Sequence, residues 1–278
     1  MSSEAKNGPA ARDIAPPPEP VFSPRPATRS RPGRLHSPEE WETRVNLAAC
    51  YRLFDHFRMS DLIYTHISAR VPGTHDQFLI NAHGLMFDEI TASSLVRVDV
   101  EGNVLEDDTG LGINPGGFTI HSAVHMARHD IGCVMHSHTP DGIAVSCQRE
   151  GLLPLTQHSM RFIGRIAYHD YSGVNFTDAE RTSLQASLGE RKVMMLRNHG
   201  LLVAGTSIQD AFDLMYYLER ACQIQIRMQC AGADLVHPPR EVAEQVGRSF
   251  ERPTRQSQGK AWAALRRMLD RNDSSYAD

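Results

Sequence analysis

The sequence lacks the apolar run of about 18 residues that a transmembrane helix requires, and its N-terminus has no basic start followed by an apolar stretch. Cysteines are few, five in 278 residues, and none stand in C-x-x-C spacing, which argues against a disulfide framework. A basic excess is also missing, because 29 Lys and Arg are set against 33 Asp and Glu. These absences predict a cytoplasmic protein that binds neither nucleic acid nor membrane.

Apolar periodicity is absent from the first 35 residues, which are rich in Pro, Ala, Ser and Arg. Such a segment cannot bury enough apolar surface to offset the entropy of ordering, so residues 1–35 are predicted to be a disordered tail. Helical periodicity begins at residues 37–40 (SPEE), which combine an N-cap serine with proline at the first helical position. The pattern predicts one folded domain over residues 36–240 and a polar C-terminal tail over 241–278 with one short basic helix at 260–269.

Strand-like segments alternate with capped amphipathic helices within the predicted domain, which indicates a single α/β unit. Helices are predicted at residues 37–57, 119–128, 140–149, 177–188 and 207–231. Strands are predicted at residues 65–71, 77–81, 95–99, 104–105, 131–135, 154–156, 166–168, 192–196 and 201–204.

Three histidines follow apolar strands in a pattern that suits a metal ion. His136 and His138 leave the end of the strand at 131–135 on the same side, because residues i and i+2 of a strand face one way. His199 stands at the predicted tip of a tight hairpin between the strands at 192–196 and 201–204. Three neutral imidazoles suit Zn²⁺ or a similar ion and leave a coordination position open for chemistry.

The alternative is that these histidines are ordinary polar side chains. The chain contains 14 histidines, and an H-x-H pair on a strand also occurs without any metal. Spacing alone leaves both interpretations open.

Five segments together resemble the class II aldolase/adducin family, in the family's order and spacing from about residue 38 to 238. They are residues 114–123 (NPGGFTIHSA), 134–140 (VMHSHTP), 152–155 (LLPL), 168–171 (YHDY) and 196–202 (LRNHGLL). The resemblance implies a three-layer α/β/α sandwich with a mostly antiparallel central sheet, assembled as a homotetramer with active sites between subunits. It also implies His136, His138 and His199 as ligands of a zinc-type ion that stabilises an enediolate.

The sequence departs from the aldolase branch at positions that matter for catalysis. The resemblance implies a glutamate four residues before His121, and this chain has Gly117 there. The phosphate-holding loops also differ, at residues 64–68 (YTHIS), 83–84 (HG) and 115–116 (PG), and in this respect the chain is similar to the adducin-like branch. The residues that could replace the missing acid or base are His121, His158, Asp141 and Asp170, while Glu219 is interpreted as structural.

Two functions follow from this pattern. The first is a divalent-metal-dependent aldolase-like lyase that cleaves a small hydroxy-carbonyl compound, sugar-like or sugar-phosphate-like, through an enediolate. The second is an adducin-like oligomeric scaffold that binds metal without catalysis, although the lysine-rich tail of animal adducins is missing here. Retention of all three histidines favours the enzyme, because a scaffold gains little from an open metal site.

Overall fold

The computed structural model of the chain describes residues 36–173, 177–232, 234–250 and 255–278. The tail predicted over residues 1–35 lies outside this part of the chain. None of the described helices is both long and apolar enough to span a bilayer.

The described residues form an open sheet of eight strands in the order β4-β3-β2-β1-β5-β8-β7-β6. Every neighbouring pair is antiparallel except β6 and β7, which are parallel. The strands are β1 His66–Arg70, β2 Gln77–Ile80, β3 Val96–Asp99, β4 Val104–Glu106, β5 Cys133–Ser137, β6 Ile166–His169, β7 Val193–Leu196 and β8 Gly200–Gly205.

Helices cover both faces of this sheet. They are α1 Pro38–His56, α2 Pro115–Ala127, α3 Pro140–Ser146, α4 Gln157–Met160, α5 Asp178–Leu188, α6 Ile208–Ala231, α7 Arg240–Ser249 and α8 Arg255–Asn272. Apolar side chains of α1, α6 and α8 share one buried cluster with alternate residues of the central strands. The other residues of β5, β7 and β8 pack with α2 and α5. The result is the predicted α/β/α sandwich with a mostly antiparallel sheet.

The alternation of β5 decides where the site lies. Cys133 and Met135 face the layer of α1 and α6, whereas Val134 faces the layer of α2 and α5. Because side chains alternate along a strand, His136 faces the α2 and α5 side, and Ser137 faces α6.

The predicted helix starts are explained by side-chain caps. Ser37, Thr139, Thr177 and Ser207 each accept a hydrogen bond from the backbone N–H three residues ahead, which supplies a partner for one free donor of the first turn. Asn114 caps α2 in a similar way through the N–H of Gly116. As a result α2 begins at Pro115, four residues before the predicted start, and the two glycines lie in its first turn.

Other boundaries also differ from the prediction. Residues 154–156 form no strand, because Thr156 instead caps the short helix α4 through the N–H of Ser159. Helix α3 ends at Ser146 rather than at residue 149. Beyond residue 239 the described residues form two α-helices and a final 3-10 turn at Ser275–Ala277, instead of the single short helix that was predicted.

The C-terminal helix is part of the core. The Trp262 side chain is buried against Phe212, with ring centroids 5.7 Å apart, and its indole N–H donates to Asn46 at 2.8 Å. Leu269 and Tyr276 are buried as well. Trp262, Leu265 and Leu269 repeat at helical spacing, and this apolar stripe docks α8 onto α1 and α6.

Candidate metal centre

Two structural elements bring His136, His138 and His199 together. His136 lies in β5 and His138 just beyond its end, so both side chains lie on the same side of the strand. His199 lies in the turn between β7 and β8, as predicted, where Asn198 has a φ of 58°. Asparagine tolerates this left-handed conformation better than most residues, which allows the tight turn that aims His199 at the end of β5.

The three imidazoles converge through the same atom. Nε2 of His138 lies 2.8 Å from Nε2 of His136 and 3.0 Å from Nε2 of His199. These separations are close to the roughly 3.3 Å edge of a tetrahedron whose zinc–nitrogen bonds are about 2 Å long. The group therefore meets the distance requirement for a metal site.

Hydrogen bonds on the far side of two rings fix their tautomers. Nδ1 of His136 faces the carbonyl oxygen of Leu201 at 2.9 Å, and Nδ1 of His138 faces Oδ2 of Asp61 at 3.0 Å. Both partners can only accept a hydrogen bond, so both Nδ1 atoms carry the proton. Two Nε2 lone pairs then point at each other across 2.8 Å, an arrangement that a shared cation stabilises.

Burial favours the neutral form of His136 and His199. Desolvation is the main cause that lowers the pKa of His136 well below its usual value, and the neighbouring His138 and His199 add to it. Desolvation is also the main cause that lowers the pKa of His199 to about 4, and His138 and His169 add to it. Neutral imidazole is the form that binds a metal ion, so these two residues can bind one at neutral pH without first losing a proton.

The three histidines line a cavity of about 410 Å³ between the ends of the strands and helices α2 and α5. The polar side chains that line it, besides the three histidines, are Asp61, Tyr64, His66, Asn114, Thr119, His169, Asp170, Tyr171, Ser172, Glu180, Arg181 and Arg197. Arg181 donates to Asp178, and its Nε is buried with no hydrogen-bond partner among the described residues. A cavity with a charged donor and an adjacent metal-ligand set suits a small oxygen-rich molecule.

The structure separates the four residues predicted as acid or base candidates. Asp170 is exposed and lines the cavity, but His121, His158 and Asp141 are not among the described residues that do. His121 is fully buried, and its Nδ1 lies 2.6 Å from Oγ of Ser68. His158 lies beside the ring of Tyr217, with centroids 5.3 Å apart.

Sequence reasoning missed two residues beside the ligands, Asp61 and His66. Asp61 lies in the loop between α1 and β1, where Arg58 and Leu62 have positive φ although neither is glycine. His66 pairs directly with His136 across β1 and β5, so both side chains face the same side of the sheet. The only available signal for His66 was its place in the altered YTHIS segment, which does not reveal its partner strand.

Glu219 anchors the opposite side of the ligand strand. The hydroxyl of Ser137 donates to its Oε1 at 2.6 Å, and the hydroxyl of Thr139 donates to its Oε2 at 2.5 Å. Desolvation raises the pKa of Glu219 to about 7. Ser137 and Thr139 alternate with the two histidines, so Glu219 holds the segment that presents them.

A second group of potential ligands, His36, Glu40 and Glu106, has a different role. The guanidinium of the fully buried Arg44 bridges the two carboxylates, at 3.1 Å from Glu40 and 2.9 Å from Glu106. Arg97 adds a further contact with Glu40 at 3.1 Å. Because arginine already neutralises these carboxylates, the group is an ion-pair network that ties α1 to β3 and β4.

Comparison with known proteins agrees with this fold. Residues 45–226 match the family model described as the class II aldolase and adducin N-terminal domain. The chain therefore belongs to the class II aldolase/adducin family, as its motifs predicted.

Among the relatives, a crystal structure of an aldolase II superfamily protein from Pseudomonas syringae shares 54% identity, with a TM-score of 0.84 over 87% of this chain and 98% of that one. An L-fuculose 1-phosphate aldolase from Glaciozyma antarctica shares 26% identity, with a TM-score of 0.75 over 88% of this chain and 96% of that one. Alpha-adducin of Rattus norvegicus is 46% identical over 186 residues, which are 66% of this chain and 25% of the adducin.

Proposed function

We propose that this chain is a divalent-metal-dependent lyase of aldolase type. Its metal ligands are His136, His138 and His199, its ion is Zn²⁺, and its substrate is a small hydroxy-carbonyl compound, sugar-like or sugar-phosphate-like, cleaved through an enediolate. The observation that carries the proposal is the convergence of three Nε2 atoms, two of them with their protons held on Nδ1. The likeness to an L-fuculose 1-phosphate aldolase supports the reaction type.

The chain's own residues have separate tasks in this scheme. The leucine carbonyl and the aspartate that contact His136 and His138 hold the two rings in the ligand-ready tautomer. Arg181 offers a buried donor to a carboxylate or phosphate group of the substrate. Asp170, exposed at the cavity, is the acid or base candidate that remains from the sequence. A bound divalent ion supplies the Lewis acid that polarises a carbonyl and offsets the charge of an enediolate.

An adducin-like scaffold is the second candidate. The 46% identity to alpha-adducin and the glycine at position 117 favour it. An open cavity next to three convergent imidazoles favours the enzyme, because a scaffold has no need for a site that admits a small molecule.

The chain is further proposed to act as a homo-oligomer, with a tetramer expected, in the cytoplasm. Leu62, Tyr64 and Tyr171 expose half or more of their surface close to the cavity, which supports a second copy covering this face. All five cysteines are free thiols, as suits a reducing compartment. Sedimentation equilibrium of the purified chain tests the assembly, and a monomer at micromolar concentration would contradict it.

The function is tested by metal analysis followed by a cleavage screen. Protein purified without chelators is expected to carry about one divalent ion per chain, and the His136→Ala/His138→Ala double variant is expected to carry none. The loaded parent is then assayed for retro-aldol cleavage of small hydroxy-carbonyl compounds with and without phosphate. Stoichiometric metal with turnover supports the lyase, whereas stoichiometric metal without turnover on any of these compounds favours the scaffold.

A further inference from the structure

The His66 ring fills the space that a side chain at position 117 would need. A Cβ built on Gly117 would lie 2.4 Å from Nδ1 of His66 and 2.5 Å from its Cγ and Cε1. Real Cβ contacts are essentially never this short, so any larger residue at 117 requires His66 to move. Gly117 and His66 are therefore a matched pair: the missing side chain on α2 makes room for an imidazole on β1.

The ring of His66 is buried but has no hydrogen bonds. The residue is 6% exposed, and neither Nδ1 nor Nε2 has a partner within the described part of the chain. A buried polar group without a partner is costly, so such a group in a native site indicates a missing ligand or water. Because His66 lines the same cavity as the three convergent histidines, that partner comes from the cavity.

The surroundings of His66 hold the ring in place. Its strand neighbour across the sheet is His136, which sets the side of the sheet that it faces. On α2 it meets the ring of His121 edge to face, with centroids 6.0 Å apart. His121 is itself fixed by Ser68, whose hydroxyl also lies 2.8 Å from Nε2 of His125. The ring is thus held by packing, while its nitrogens remain free to bind.

His66 is distinct from the metal-ligand group. Among the described residues, this group consists of His136, His138 and His199, whose ligand atoms lie within 4.8 Å of one another. His66 therefore lies outside that group, although it lines the same cavity.

We propose that His66 is a catalytic residue that donates a ring N–H to an oxygen of the hydroxy-carbonyl substrate, in the place that Gly117 leaves open. This assignment rests on the lyase function proposed above. A neutral imidazole is an effective donor to an oxygen that gains negative charge during the reaction, and it need not change protonation to do so. Loss of such a donor typically lowers kcat by about 100- to 1,000-fold.

The geometry is tested first, by a stability cycle that needs neither metal nor substrate. Gly117→Ala is expected to lower the unfolding temperature of the parent, because its Cβ collides with His66. In a His66→Ala background, the same Gly117→Ala change is expected to cost markedly less. Additive effects in the cycle would show that the two positions do not share this space.

The role of His66 is tested by binding of glycolohydroxamate, a bidentate mimic of an enediolate, to the zinc-loaded protein. His66→Ala is expected to weaken binding about 10- to 100-fold, as loss of a hydrogen bond to a charged oxygen does, with the metal content unchanged. His66→Gln retains an N–H donor and is expected to recover much of the affinity. His129→Ala, which removes an exposed histidine that is not among the described residues lining the cavity, is the matched control and is expected to bind like the parent.

The outcomes separate the two proposals. Unchanged hydroxamate affinity in His66→Ala, or no binding by the zinc-loaded parent, overturns the assignment of His66. Failure of the parent to turn over any hydroxy-carbonyl compound overturns the lyase function and with it the catalytic role of His66. The hydroxamate contrast between parent and His66→Ala is measured without turnover, so it still shows whether His66 binds an enediolate-like oxygen.

Discussion

Removal of the Asp61 carboxylate is expected to weaken metal binding without touching a ligand atom. Asp61 accepts a hydrogen bond from the Nδ1–H of His138 at 3.0 Å and so fixes the tautomer and orientation of that ring. Loss of such a supporting partner costs about 10- to 100-fold in metal affinity. The Asp61 side chain is 45% exposed, so water competes for the same proton and the lower end of that range applies. We expect Asp61→Ala to lose about tenfold, equivalent to about 1.4 kcal/mol.

The contribution of the charge is isolated by a second variant. Asp61→Asn retains a carbonyl oxygen that can accept the same proton, so its affinity is expected between those of the parent and Asp61→Ala. Zinc affinity is measured by competition with a chromophoric chelator, and Asp88→Asn, which changes an exposed aspartate elsewhere, is the control. Equal affinities for the parent and Asp61→Ala, or an equal loss in the control, would refute the supporting role of Asp61.

Three further predictions concern stability. Burial, and to a smaller extent the charge of Arg70, lowers the pKa of His125 in the folded state to about 3. The unfolded chain therefore binds this proton at a higher pH than the folded one, and the free energy of unfolding falls as pH drops below about 6.5, by about 2 kcal/mol at pH 5. Urea unfolding of His125→Gln should show a smaller fall, and an identical fall would contradict this. The contribution of Glu219 to the pH dependence of stability has the opposite sign. Its pKa in the folded state is raised to about 7, so the free energy of unfolding falls as pH rises from about 4.5 to 7. Glu219→Gln should remove this part of the pH dependence. Trp262→Ala should lower the free energy of unfolding by about 3–5 kcal/mol through loss of buried contacts. An unfolding temperature close to that of the parent would show that α8 is not part of the core.

The convergence of His136, His138 and His199 could be predicted because the sequence signals for it are local. His136 and His138 share one strand, and the turn chemistry around Asn198 placed His199 at a hairpin tip. Strand alternation and turn propensity are sufficient for both inferences. The caps at Ser37, Thr139 and Ser207 were predictable for the same reason, since each involves residues only three apart.

The environment of the ligands could not be predicted, because it depends on pairing between distant segments. His66 faces the cavity only because β1 pairs with β5 in the register that sets it opposite His136. Asp61 reaches His138 from a loop with two left-handed residues that are not glycine, Arg58 and Leu62. No local preference signals either arrangement.

Helix α7 shows a different reason for a missed element. Its buried residues are Ala243 and Gly247. Together with Val242 and Val246 they repeat at helical spacing, but the charged residues around them give the segment the composition of a polar tail. Gly247 is needed because a Cβ there would lie 2.5 Å from Cγ2 of Ile163. The contact of α7 with the segment around α4 therefore depends on close backbone approach at Gly247.

The hydroxyls of Ser137 and Thr139, which donate to Glu219, connect the proposed metal site to helix α6. The same short segment holds the histidines on one side and the long helix on the other. An ion that binds only the ordered segment therefore raises the free energy needed to release Glu219 and open this part of α6. Amide hydrogen exchange in the middle of α6 should slow when zinc is added, so the occupancy of the site can be followed on a helix that supplies no ligand.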